Sequence, residues 1–165
     1  MTDATIIRAV EPEDFNAIAD LMNQPKVIFG TLRLPLTSRE AYRKRLEASQ
    51  EGGLQSILAE KAGRVVAVAS LSRAKGRRAH VASVGIAVHD DFQGQGIGST
   101  ILAALLNLAD NWLNLKRLEL SVYTDNEAAV RLYRRHGFVL EGTSRADSYR
   151  DGHFVDVFTM GRVRD

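Results

Sequence analysis

Cysteine is absent from this chain of 165 residues, and its absence removes whole classes of chemistry. A chain without thiols forms no disulfide, no thiolate zinc site and no cysteine nucleophile. Proline is scarce, with three residues, and two of them mark boundaries. We expect Pro25 to end the first helix, and the segment between Pro25 and Pro35 to be irregular.

Long apolar runs and a strong net charge are also missing. No run reaches the roughly 18 apolar residues of a membrane-spanning helix, and the polar N-terminal sequence is not that of a signal peptide. The formal net charge of +2 is too small to indicate a nucleic-acid partner. We therefore expect a cytoplasmic protein that binds neither membrane nor nucleic acid and holds no metal ion.

The organisation of the chain is simple. It shows no internal repeat, low-complexity tract or linker, so we expect one domain over residues 1–165. Strand and helix patterns follow one another in the order β-α-α-β-β-β-α-β-α-β-β, with hairpin turns at residues 61–63 and 150–153. This order predicts an α/β fold with a mixed sheet and helices on its faces.

The sequence DDFQGQGIGSTILAALLNL places Gly94, Gly96 and Gly98 between the apolar strand VGIAV and a helix whose apolar stripe is expected to reach Trp112. A helix N-terminus presents free N–H groups and the positive end of the helix dipole, which suit a phosphate. The glycines would clear side chains from such a site, and Ser99 would add a hydroxyl donor. A plain strand-to-helix turn, with glycines only for packing, is the alternative.

Two familiar phosphate-binding motifs do not match this loop. A Walker A loop needs a lysine after its last glycine, and none follows here. A dinucleotide fingerprint needs G-x-G-x-x-G in the first strand–helix unit, whereas this chain has G-x-G-x-G past its midpoint. Both of these nucleotide-binding interpretations are excluded.

Two segments resemble the GNAT superfamily of N-acetyltransferases. QGQGIG at residues 93–98 resembles the acyl-CoA loop Q/R-x-x-G-x-G/A, and DNEAAVRLYRRHGF at residues 125–138 resembles the N-x-x-A-x-x-x-Y-x-x-x-G-F segment. The resemblance covers nearly the whole chain and implies a mixed, mostly antiparallel central sheet with helices on both faces. The short segments DNWL, EGT and RDGHFVD look like a bacterial subgroup of small-molecule enzymes similar to the L-amino-acid N-acetyltransferases.

The resemblance implies acetyl-CoA as the cosubstrate. The strand at 86–88 would pair with the pantetheine arm, residues 94–99 would receive the pyrophosphate, and Asn126 would contact the cosubstrate, serve as a helix N-cap, or do both. One arginine on the later helix would meet the 3′-phosphate, with Arg131, Arg134 and Arg135 as open choices. The residues expected to contact acetyl-CoA are Ile86, Ala87, Val88, Gln93, Gly94, Gln95, Gly96, Ile97, Gly98, Ser99, Asn126 and Tyr133.

Acetyl transfer to an amine needs a neutral amine, stabilisation of the thioester oxygen and protonation of the departing thiolate. The resemblance implies that the backbone N–H of Val88 is the oxyanion donor and that Tyr133 is the general acid. A phenol and a thiol have reference pKa values of about 10 and 8.5, so the proton would pass between them without a large penalty. A packed aromatic beside Phe138 is the alternative role for Tyr133.

The general base is not assigned by the resemblance. This chain has Ser121 and Ala82 at positions where other members carry a glutamate. His80 shares a strand face with Ala82 and is a candidate base acting through water, and Glu119 is a second candidate. For both residues a surface role is the alternative, and the amine can also lose its proton to water without a dedicated base.

The acceptor pocket is expected to come from residues 27–35 and 148–154, which lie outside the cosubstrate core. Arg33, Arg150 and Asp156 would suit a zwitterion, although packing and solvated turn charges explain these residues equally well. The residues expected to contact the acceptor are Phe29, Thr31, Leu32 and Tyr149.

The sequence therefore predicts an N-acetyltransferase that acetylates a small-molecule amine, a free amino acid above all, by direct attack in a ternary complex. A ribosomal-protein type of N-terminal acetyltransferase and an antimicrobial acetyltransferase are the alternatives among enzymes. A CoA-binding module without catalysis is the alternative outside them. We also expect a homodimer, because related small enzymes often pair through sheet edges.

Overall fold

The structure of the protein is a computed structural model, and it describes residues 4–165. Seven strands form a single sheet. The strands are β1 (Ile6–Ala9), β2 (Leu54–Lys61), β3 (Arg64–Arg73), β4 (Val81–Val88), β5 (Arg117–Tyr123), β6 (Val139–Arg150) and β7 (His153–Val163). The α-helices are α1 (Phe15–Met22), α2 (Pro25–Gly30), α3 (Arg39–Glu51), α4 (Ile97–Asn111) and α5 (Glu127–Arg135).

The sheet has the strand order β1-β2-β3-β4-β5-β7-β6. Every neighbouring pair is antiparallel except β4 and β5, which are parallel. One buried cluster packs α4 and α5 against one face, and a second packs α1, α2 and α3 against the other. The predicted fold class, a mostly antiparallel mixed sheet with helices on both faces, is confirmed.

The two predicted hairpin turns are present. Ala62 and Gly63 have positive φ angles between β2 and β3, and Asp151 and Gly152 have them between β6 and β7. Such angles suit the two-residue turns whose twist matches that of paired strands. Within residues 4–165, none of the helices combines the length and the apolar character needed to cross a membrane.

Two details of the helices differ from expectation. Pro25 does not end a helix but begins α2, because its fixed φ and missing N–H fit the first helical position. The segment after it is therefore helical as far as Gly30 rather than irregular. Trp112 lies just past the end of α4 and is 77% exposed, so the apolar stripe of that helix stops before it.

The feature that positions the site is a gap between β4 and β5. These strands pair only from Val81, opposite Arg117, to Ser83, opposite Glu119. Beyond that point β4 continues along β3 to Val88, while β5 continues along β7 to Tyr123. The β5 side of β4 is therefore unpaired from residue 84 to residue 88.

Candidate active site

The gap opens into a cavity of about 680 Å³. Its walls come from β4, the glycine loop, the first turn of α4, and the helices α2 and α5. The predicted site residues that line it are Phe29, Thr31, Ile86, Ala87, Val88, Gln93, Gly94, Gly96, Gly98, Ser99, Asn126 and Tyr133. Segments far apart in the sequence thus meet in one cavity of a size typical of small-molecule sites.

The backbone of β4 presents hydrogen-bonding groups to this cavity. The N–H of His89 donates to the carbonyl of Val66 at 2.8 Å, so the odd-numbered residues of this strand point their backbone groups towards β3. The even-numbered residues, Ile86 and Val88 among them, point theirs into the gap. The carbonyl of Val88 accepts from Nε2 of Gln93 at 3.1 Å, which leaves its N–H directed at the cavity.

The three glycines of the loop serve different purposes. Gly94 and Gly96 have φ angles of 74° and 81°, a left-handed conformation that other residues rarely adopt. A Cβ at either position would meet nothing within 4 Å, so both are needed for backbone shape. A Cβ on Gly98 would lie 3.3 Å from Leu132, so this glycine permits close packing of α4 on α5.

The first turn of α4 has backbone donors without a side-chain cap. Gly96 is its N-cap and supplies no side-chain acceptor, so the first backbone N–H groups have no cap. The Ser99 hydroxyl lies 2.8 Å from Nε2 of His136. Burial, together with nearby Arg135 and Arg162, lowers the pKa of His136. Sequence reasoning missed this pair, because the two residues are 37 positions apart.

Tyr133 lies on α5 and is 8% exposed. Its ring packs edge-to-face on Phe138, with centroids 5.8 Å apart. Burial raises the pKa of Tyr133 to about 12, so its hydroxyl is protonated at any physiological pH. Tyr133 lines the cavity, and its hydroxyl makes no hydrogen bond within residues 4–165.

Asn126 is the N-cap of α5. Its Oδ1 accepts from the N–H of Ala129 at 3.2 Å, as an ordinary cap does. The other end of the amide faces α2, since a Cβ on Gly30 would lie 3.4 Å from Nδ2. The cap therefore leaves an N–H donor at the cavity wall.

Arg150 closes one end of the cavity by tying the β6–β7 hairpin to α2. Its guanidinium carbon lies 3.8 Å from the ring centroid of Phe29 and 4.6 Å from that of Tyr123. It donates to the carbonyl of Phe29 at 3.2 Å and pairs with Asp125, and this hydrogen bond lowers the pKa of Asp125. Its charge is thus satisfied within the protein, contrary to the expectation that it would meet a zwitterion.

The two candidate bases lie outside the cavity. His80 is exposed and precedes β4, eight positions before Val88 and about 26 Å away along an extended strand. Glu119 pairs with Arg78 and Arg117. Burial raises the pKa of Glu119, but the hydrogen bonds from the two arginines outweigh it and lower the pKa overall. Neither group reaches the gap, so we assign no base to either.

Several other expected residues lie beside the cavity rather than on it. Ile97 is buried in the core, and Gln95 donates to the carbonyl of Asp91. Leu32 is 63% exposed, and Tyr149 is 67% exposed against Phe154. Asp156 accepts from the N–H of Ala146.

Among the arginines of α5, Arg135 lines the cavity, and Arg131 lies 3.8 Å from Glu127. In the part of the chain that the structure describes, no cluster of three His, Asp or Glu side chains has the arrangement of a metal site.

Residues 16–138 match the model of the acetyltransferase (GNAT) family, and the chain belongs to that family. It is an N-acetyltransferase whose chemistry is acetyl transfer to an amine. The chain is similar to the L-amino acid N-acetyltransferase AaaT of Escherichia coli K12. The two are 34% identical over 160 residues, which cover 96% of this chain and 98% of the relative.

Solved structures show the same fold. A ribosomal-protein-alanine N-acetyltransferase from Brucella melitensis superposes with a TM-score of 0.86 and 26% identity over 96% of this chain and 99% of its own. A phosphinothricin acetyltransferase from Sinorhizobium meliloti, in complex with acetyl-CoA, gives 0.86 and 20% identity over 99% and 89%. Structural neighbours in this family thus bind acetyl-CoA.

Proposed function

We propose that this protein transfers the acetyl group of acetyl-CoA directly to the α-amino group of a free amino acid, with both substrates bound at once. The unpaired edge of β4 carries the proposal, because this edge and Tyr133 line the same cavity. Similarity along 96% of the chain to an L-amino acid N-acetyltransferase supports the acceptor class.

The cosubstrate would be held mainly by backbone. The N–H and carbonyl of Ile86 can pair with the amides of a pantetheine arm, as when a peptide adds a strand to a sheet edge. The uncapped N–H groups of α4, with Ser99, would receive the pyrophosphate. Arg135 supplies a positive charge for a phosphate, and Nδ2 of Asn126 supplies a further donor.

Two groups would act on the thioester. The N–H of Val88 would donate to the carbonyl oxygen as that oxygen gains negative charge. The Tyr133 hydroxyl would donate its proton to the departing sulfur. The raised pKa of Tyr133 increases its difference from the pKa of a thiol in water. The same burial disfavours a thiolate in the cavity, however, and so raises the pKa of the thiol as well.

Deprotonation of the amine would not use a dedicated base. Asp125 is the only acidic side chain among the described residues that line the cavity, and its carboxylate is already ion-paired with Arg150. The amine would therefore release its proton to water before attack. We expect kcat/KM to rise with pH until the free amine of the substrate is deprotonated.

Release of CoA thiol from acetyl-CoA tests the proposal with the twenty L-amino acids, spermidine and a peptide with N-terminal alanine as acceptors. We expect an amino acid to give the highest kcat/KM, with N-acetylation confirmed by mass spectrometry. Double-reciprocal plots of the initial rates, with both substrates varied, should give intersecting lines. A preference for the peptide, or for spermidine, would contradict the acceptor class, and parallel lines would contradict the ternary complex.

We also propose that the protein forms a homodimer through the sheet edge formed by β6. This edge strand is largely exposed and carries Val139 and Leu140, and Phe154 of the adjoining strand is 71% exposed. Light scattering at micromolar concentration should give the mass of two chains. A monomer mass would overturn this proposal.

A further inference from the structure

A second cavity, of about 250 Å³, lies between the strands β2, β3 and β4 and the helices α1 and α3. The two cavities share Thr31, Ile86 and Ala87 as lining residues. These residues adjoin Val88, whose N–H is directed at the gap. A molecule in the second cavity can therefore present an amine to the carbon that Val88 would activate.

The walls of this cavity are apolar in one part and polar in another. Phe15, Ile18, Met22 and Val68 provide the apolar part. Ser56 and Ser70 provide hydroxyls, and Arg33 and Arg45 provide positive charge. The described lining residues include no acidic side chain. The chemistry of the wall thus matches an anionic group attached to a hydrocarbon.

Two buried hydroxyls in the wall lack partners. Tyr42 is 5% exposed and lines the cavity, and its hydroxyl makes no hydrogen bond to any described residue. Oγ1 of Thr31, at the junction of the cavities, is in the same condition. Folded proteins rarely leave buried hydroxyls unpaired. Both hydroxyls are therefore available to a polar ligand in this space.

The two arginines are also without acidic partners. Neither Arg33 nor Arg45 forms an ion pair or a side-chain hydrogen bond with another described residue. Arg45 instead lies over the ring of Tyr42, 5.3 Å from its centroid. By contrast, Arg43 on the same helix pairs with Glu40 and Glu47. A free guanidinium fork is suited to a carboxylate.

We propose that this second cavity binds the acceptor, with its carboxylate at Arg33 and Arg45 and an apolar side chain against α1. The proposal rests on the proposed function and narrows the acceptor to amino acids with apolar side chains. It also replaces Arg150 by Arg33 and Arg45 as the groups that recognise the carboxylate. A polycation such as spermidine would be repelled by the same two arginines.

Steady-state kinetics with a matched pair of acceptors tests this inference. The pair is the best L-amino acid substrate and its carboxamide, which differ only in the carboxylate. We expect the parent protein to prefer the acid by 10-fold or more in kcat/KM. Arg33→Met and Arg45→Met should each raise KM for the acid about tenfold, leave kcat and CoA affinity nearly unchanged, and reduce the preference. Arg45→Lys should restore part of it.

Arg43→Met is the matched control, because it removes an arginine from the same helix outside the cavity and should leave the preference intact. If the parent protein acetylates an amino acid but both variants keep the full preference for the acid, the acceptor does not bind in the second cavity as proposed. The proposed function then still stands. If the parent protein acetylates no amino acid, the proposed function itself is overturned. Thermal melts of each variant separate loss of binding from loss of folding.

Discussion

The two halves of the site are built differently. On the cosubstrate side, the ligand-facing groups are mostly backbone, from one side of β4 and the uncapped start of α4. On the acceptor side they are side chains from α1, α3, the segment after α2 and three strands. Backbone donors suit a ligand common to a whole family, whereas side chains can change from member to member without disturbing the sheet. On the proposals made above, the backbone half would suit a constant cosubstrate and the side-chain half would set the acceptor.

Gly96→Glu should have the largest effect, because it changes the half of the site that is built from backbone groups. It forces a side chain into a left-handed position and places a negative charge at the N-terminus of α4. We expect the Kd for CoA to rise on the order of 100-fold, about 2.7 kcal/mol, by isothermal titration calorimetry. Gly63→Glu is the matched control, since Gly63 has a φ of 72° in a distant hairpin. Equal CoA affinity in both variants would contradict the assignment of the CoA site to this loop.

Tyr133→Phe should have the next largest effect. It keeps the ring on Phe138 and removes only the hydroxyl. We expect kcat to fall on the order of 10²-fold, the usual range for a proton-transfer group, with CoA affinity and melting temperature preserved. Tyr149→Phe, at an exposed tyrosine outside the cavity, should leave kcat unchanged. A lower melting temperature with intact turnover would instead assign Tyr133 to packing.

Arg150→Met should separate the two halves of the site. The guanidinium holds the hairpin against Phe29 and Asp125, so its loss should loosen the α2 wall. We expect the Kd for CoA to rise about 10-fold, on the order of 1.4 kcal/mol, while KM for the acceptor changes less than twofold, because Arg150 lines the first cavity and not the second. Arg145→Met, at an exposed arginine of the same strand, is the control. A larger change in acceptor KM than in CoA affinity would contradict the division.

The smallest expected effect is a loss of folding stability at acid pH. Arg162 hydrogen-bonds to Asp110 and lowers the pKa of that carboxyl, which is about one-fifth exposed. The stabilisation is complete above the ordinary pKa near 4 and is lost as the pH falls through the lowered value. Urea melts from pH 7 to pH 2 should show Asp110→Asn costing about 1 kcal/mol at pH 7 and little at the acid end. An equal cost at every pH would contradict this account.

The same contrast decides what the sequence could predict. Gly94, Gly96 and Asn126 belong to local motifs whose backbone roles depend on neighbours a few positions away, so their place in one cavity was predictable. Arg45 and Tyr42 meet the second cavity only through tertiary packing, and no local pattern marks them. Arg33 was expected near the acceptor as a charge of the segment 27–35, but its place beside Arg45 needs the fold. Arg150 was noticed as a charge, but its stacking on Phe29 needs the fold. His80 was misplaced because a shared strand face says nothing about distance along the strand.

The central claim, that the open edge of β4 receives acetyl-CoA, is most directly tested by residue-resolved amide hydrogen exchange with and without CoA. The N–H groups of Gly85 and Ala87 point towards β3 and should exchange slowly in both states. Those of Ile86 and Val88 point into the gap and should exchange fast in the free protein. We predict that CoA slows exchange at Ile86 and Val88 at least 10-fold and leaves Gly85 and Ala87 little changed. Equal protection at all four positions, or none at the even-numbered pair, would contradict the claim.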